Sequence, residues 1–143
     1  MDVRTIRRGT RGNRGRRYGT FSKVLDEKDV QTFVQVTGDT NRLHLDDEYA
    51  TETRFDGRIV HRTLVAGLIS AALARLPGLT VYLSQNLKFR DPVRIGDRVS
   101  GTVEVREIIA DEQYRLSTTI DAEDRTTTLV DGEAIVMIND PPE

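Results

Sequence analysis

The sequence predicts an α+β fold in which a long antiparallel β-sheet wraps around a central, buried α-helix. Three observations point there. The stretch from Thr63 to Leu76 is apolar nearly all round and stops at Pro77-Gly78, so it is a helix that needs covering. From Leu79 onward the apolar residues recur with period two, the pattern of strands. The separators between those runs are short and turn-forming, which favours neighbouring antiparallel strands over helical crossovers.

Taken in order, residues 1–17 carry seven arginines against Asp2, while the remainder holds 14 basic and 22 acidic residues. With glycine at 9, 12 and 15, this stretch is a poor core former and is expected to be a solvated, disordered tail preceding a single domain over residues 18–143. No aromatic residue lies among the seventeen to stack on bases, which argues against nucleic acid as a partner. Tyr18 to Leu25 is expected as a strand, with Phe21 and Val24 as its buried positions. Asp26 is placed to cap a helix, with Asp29 three residues on, and Val30, Phe33, Val34 and Thr37 keep helical spacing up to a stop at Gly38. Asp46 can cap a short turn through Ala50, and Phe55 to Arg58 forms a turn. After the apolar helix come Val81-Leu83 with Leu87-Phe89, then Val99, Val103, Val105 and Ile109, then Tyr114 to Ile120, and finally Leu129 to Ile138.

At 143 residues the chain is about one domain, and it has no cysteine. Disulfides, thiolate nucleophiles and cysteine metal sites are excluded. The opening Met1-Asp2-Val3-Arg4 has no apolar run behind it and no stretch is long enough to span a bilayer, so a cytoplasmic protein with no membrane partner is expected. Neither a Gly-x-Ser-x-Gly elbow nor a glycine-rich phosphate loop is present.

The chemistry concentrates in Gly38-Asp39-Thr40-Asn41-Arg42-Leu43-His44-Leu45-Asp46. Residues five apart lie roughly 140° apart around a helix, so Asp39 and His44 need a loop to converge. Gly38, Asp39 and Asn41 are turn-forming types that supply one. A carboxylate beside an imidazole is an acid-base pair; a free aspartate is a weak base at neutral pH, so the loop is expected against apolar walls. Each residue also has a plainer reading. Asp39 could be a turn aspartate, His44 a half-buried histidine, Asn41 a turn former, and Ser70 a helix serine bonded to its own backbone. His61 is expected to pack or cap at the helix entrance. Two histidines without cysteine make poor metal ligation, and no metal is expected.

These residues resemble a known family. Gly38 to Asp46 is similar to the hydratase motif of the MaoC-like dehydratases, particularly the (R)-specific enoyl-CoA hydratase type. Ile59-Val60-His61, Leu76-Pro77-Gly78, Tyr82-Leu83 and Pro92 to Asp97 follow in the family's order. The resemblance implies a hotdog fold and places Asp39 and His44 on the catalytic pair. It puts Asn41 on the polar residue between them and Ser70 on a serine of the central helix that lines the site. Arg62 stands where the family has a glycine whose main-chain N–H holds the thioester oxygen, so the donor remains and a long cation is added at the mouth. Arg42 replaces a proline. The activity implied is reversible addition of water to a trans-2-enoyl-CoA, giving the (R)-3-hydroxyacyl-CoA, with no cofactor, by a homodimer or a higher assembly of dimers. Two alternatives stay open: a 3-hydroxyacyl-carrier-protein dehydratase or another MaoC-type hydratase, and a non-catalytic hotdog subunit that binds acyl chains or a partner.

Overall fold

A computed structural model of the chain describes residues 18–140 and 142. The tail expected over residues 1–17 lies outside the described residues. The elements are β1 (Tyr18–Val24), α1 (Glu27–Thr37), α2 (Arg42–Leu45), α3 (Asp47–Thr51), α4 (Arg62–Leu73), β2 (Leu79–Phe89), β3 (Arg98–Ala110), β4 (Gln113–Ala122) and β5 (Thr127–Asn139). The five strands form one antiparallel sheet in the order β1-β3-β4-β5-β2.

The sheet curls over α4, whose Val65, Leu68, Ile69, Ala72 and Leu73 are buried against Val99, Val103, Leu116, Ile120 and Val136. Each Val, Leu or Ile so buried contributes about 1.5–3 kcal/mol relative to exposure. Close docking depends on two glycines. A Cβ at Gly101 of β3 would lie 2.8 Å from the Leu68 carbonyl oxygen, and one at Gly19 of β1 would overlap that of Ala72. The cover is one-sided: Arg62, Thr63, Gly67 and Ser70 of α4 are exposed. The expectation of a helix enclosed all round therefore holds for the sheet-facing side alone within this chain.

Three local expectations change. Val24 is 38% exposed and Leu25 is buried, because Phe21 and Val24, three apart on a strand, point to opposite faces while Gly19, Phe21 and Leu25 share one. Ile109 is exposed because irregularities between Val105 and Glu107 and between Ile108 and Ala110 break the alternation. The short link from Arg90 to Asp97 does not join neighbours. It carries the chain from the outer strand β2 across to β3, beside β1, on the way forming a bridge between Arg94 and Ile59. Among the described residues no helix is long and apolar enough to cross a membrane.

Candidate active site

The site is assembled by local rules at the end of α1. Asp26 caps that helix in a reciprocal box with Asp29, and Gly38 closes it in the left-handed conformation at φ 79°, its N–H bonding the Val34 carbonyl. The chain leaves sharply. The Asp39 side chain accepts the Asn41 N–H at 3.2 Å, and Asn41 in turn caps α2 by accepting the Leu43 N–H at 3.0 Å. Two consecutive turn bonds thus set Asp39 in the bend and His44 on the helical turn that follows.

His44 is buried, and its Nδ1–H donates to the Ile59 carbonyl at 2.8 Å. A carbonyl only accepts, so Nδ1 holds the proton and Nε2 keeps a lone pair. Burial, chiefly, lowers the His44 pKa below its ordinary 6.5; the bond to Ile59 and the Asp39 carboxylate act against this, and His61 and Arg58 act with it. At neutral pH the imidazole is an uncharged acceptor. His61 is 1% exposed, donates Nε2–H to the Asp39 carbonyl at 3.1 Å, and stacks on His44 with centroids 3.9 Å apart.

Arg58 locks the helical turn in place. Its Nε donates to the His44 carbonyl at 2.8 Å while its fork grips Glu27 at 2.7 and 2.9 Å. Hydrogen bonds from Arg58, then Gln31, lower the Glu27 pKa from 4.5 to about 2. A carboxylate depressed in the folded state stabilises it above its unfolded pKa, and that contribution is lost as pH falls through the folded value. Thermal midpoints of the protein and of Glu27→Gln are therefore expected to converge between pH 4.5 and about 2, and to differ most at neutral pH. A constant gap across that range would remove the pairing.

Asp39, His44, Arg62 and Thr63 line a cavity of about 340 Å³, together with Arg54 and Phe55. At its floor α4 begins. His61 occupies the N-cap position with no side-chain cap bond, so the packing expected of it is present and the capping is not. The first N–H groups of a helix carry partial positive charge, and here the side chain at the N-cap does not bond them. The Arg62 guanidinium is turned over the Phe89 ring, 5.5 Å from its centroid.

Not every expected residue meets the others. Ser70 lines a separate cavity of about 320 Å³ with Leu73, Thr80 and Tyr82, roughly 10 Å along α4 from Thr63 at 1.5 Å per residue. Asn41 is occupied as a cap. Asp39 is exposed rather than set against apolar walls, because the bend lies at the outer lip of the cavity. The ligating atoms of Asp39, His44 and His61 gather within 4.8 Å of one another, but this set does not suit a metal. The two rings lie 30° from parallel with centroids 3.9 Å apart, so their in-plane lone pairs run side by side instead of converging on one point. Arg58 and the His61 stack were missed from sequence, although a chain whose two histidines lie seventeen positions apart could have prompted the question of whether they meet.

A five-stranded antiparallel sheet packed on one central helix is the hotdog fold. The family described as MaoC like domain matches residues 11–127. The chain belongs to the MaoC-like dehydratases and is an enzyme of the hydro-lyase class. It is 46% identical over 121 residues to the 3-hydroxybutyryl-CoA dehydratase of Methylorubrum extorquens, covering 82% of this chain and 76% of that one. To the (R)-specific enoyl-CoA hydratase of Rhodospirillum rubrum it is 39% identical over 124 residues, 83% of each. The solved structure of the (R)-hydratase of Aeromonas caviae, involved in PHA biosynthesis, superposes with a TM-score of 0.79 at 37% identity. That match covers 85% of this chain and 93% of the other.

Proposed function

We propose that the protein is an (R)-specific enoyl-CoA hydratase, adding water reversibly to a trans-2-enoyl-CoA through Asp39 and His44. The observation that carries this is the convergence of a neutral imidazole, with Nε2 free to accept, and a carboxylate beside an uncapped helix N-terminus. Water held between the two groups loses a proton to His44 Nε2 as its oxygen bonds to the β-carbon. The electron pair displaced from the double bond moves onto the thioester oxygen, which the N–H groups of Arg62 and Thr63 stabilise. The imidazolium then returns the proton to the α-carbon, so one water is consumed and the enzyme is regenerated. Asp39 orients the water and balances the charge on His44. Asn41 holds this geometry by capping α2, and Ser70 lies farther along the exposed face of α4, where an acyl chain can run. Arg54 and Arg62 at the same cavity suit the phosphates of a CoA thioester.

The acting form is a homodimer. Among the described residues strand β2 pairs only with β5, and it exposes Leu79, Val81, Tyr82 and Leu83, an open edge that a second copy would cover along with the bare face of α4. Light scattering that returns the monomer mass would remove this part.

The test follows loss of the conjugated enoyl-thioester absorbance with crotonyl-CoA, beside the same acyl group on a carrier protein. Turnover of the CoA thioester is expected, with the acid limb of kcat/KM below pH 6.5, since His44 must be unprotonated. Absence of turnover on both thioesters overturns the proposal; preference for the carrier protein moves it to the dehydratase alternative.

A further inference from the structure

His61 lies outside the pair that the proposed reaction needs, yet the surroundings are built around it. One face of its ring lies on His44, and Phe33 packs against it with centroids 4.8 Å apart. Its Nε2–H reaches the Asp39 carbonyl, whereas Nδ1 is buried with no hydrogen-bond partner among the described residues. A buried lone pair without a donor costs stability. If packing were the whole role, a phenylalanine ring would serve better here. The imidazole is explained by what its one N–H holds.

We propose that His61 is a positioning residue for the acid-base pair, holding the Asp39 main chain through Nε2–H and bracing the His44 ring face to face. The inference rests on the reading of Asp39 and His44 as the reacting groups. Its anchorage is firm. Val60 donates to the Val93 carbonyl at 2.8 Å and Ile59 bridges to Arg94, so the stretch Ile59 to His61 is tied to the link between β2 and β3. From this stretch the Ile59 carbonyl accepts the His44 Nδ1–H and the His61 ring donates its Nε2–H to the Asp39 carbonyl. One short segment therefore sets the position of both groups relative to the N-terminus of α4. The charged and titratable groups around His44 are Asp39, Arg58 and His61, with Arg54 and Arg62 on the shared cavity. A second imidazole in contact disfavours protonation of the first.

Two variants separate the duties of the ring. His61→Phe keeps an aromatic face and loses the donor; His61→Gln keeps a donor and loses the face. For His61→Phe, kcat on crotonyl-CoA is expected to fall about 10- to 100-fold, the scale of a small misplacement of reacting groups. KM should stay within about twofold, and His61→Gln should recover part of kcat. A second readout needs no turnover. The untagged chain has two histidines, so its long-range ¹H–¹⁵N spectrum holds two imidazoles. One is expected as the Nδ1–H tautomer (His44) and one as Nε2–H (His61), and in His61→Phe the His44 titration should move to higher pH. Unchanged kcat in both variants together with an unmoved His44 titration overturns the proposal and leaves His61 as packing. Should the parent protein fail to hydrate either thioester, the reaction reading falls. The His44 titration then decides alone whether His61 governs its neighbour.

Discussion

Asp39→Asn is expected to lower turnover of crotonyl-CoA by about 10²–10⁴-fold while leaving the fold intact. Asparagine keeps a side-chain oxygen that can accept the Asn41 N–H, so the bend that feeds α2 survives. What disappears is the negative charge that, in the proposed reaction, orients water and balances a protonated His44. His44→Asn is expected to fall by a similar factor. Its amide N–H can reach the Ile59 carbonyl in place of Nδ1–H, but no lone pair remains where Nε2 stood. Circular dichroism and initial rates measured on the same preparations check both. Rates within about tenfold of the parent, with native spectra, would mean that protons are handled by other groups.

The second large effect concerns how tightly α4 lies on the sheet. Gly101→Ala would bring a methyl to 2.8 Å from the Leu68 carbonyl oxygen, and Gly19→Ala would drive one into that of Ala72. Neither obstacle is the end of a flexible side chain. The helix must lift, and each substitution is expected to destabilise the fold by about 1–3 kcal/mol, as overpacking does. Gly67→Ala provides the contrast, because within one chain a Cβ there meets nothing within 4 Å. In mid-helix it should stabilise by up to about 1 kcal/mol, the difference in helix propensity. Urea unfolding of the three variants reads this difference in sign. If Gly67→Ala were as damaging as Gly101→Ala, close docking of α4 would not be the reason for the glycines.

Much of this was visible in the residues because it follows from local chemistry. Asp26 with Asp29, Gly38 and Asp46 each terminate or start an element by bonds to their own near neighbours, and all three do so in the structure. The bend carrying Asp39 and His44 was legible for the same reason. Tertiary facts were not. That β2 lies at an edge beside β5, far from β3, depends on the curvature of the whole sheet, and no separator of the length Arg90 to Asp97 reveals it. The stacking of His61 on His44 and the reach of Arg58 to Glu27 join residues seventeen and thirty-one positions apart. Ser70, placed by family resemblance, proves to face Leu73 and Thr80, since its direction is set by its turn of α4.

The three side chains that fasten the reactive bend share a habit with a practical result. His44 grips the Ile59 carbonyl, His61 that of Asp39, and Arg58 that of His44. Each of these three bonds falls on a main-chain oxygen, which any amino acid supplies. Scaffold and reagent are thereby separable at position 39 as far as its side chain still accepts the Asn41 N–H: a different acid or base that keeps an acceptor there can be installed without untying the knot that presents it. For anyone seeking to reprogram this enzyme toward new chemistry, that is the position at which to begin.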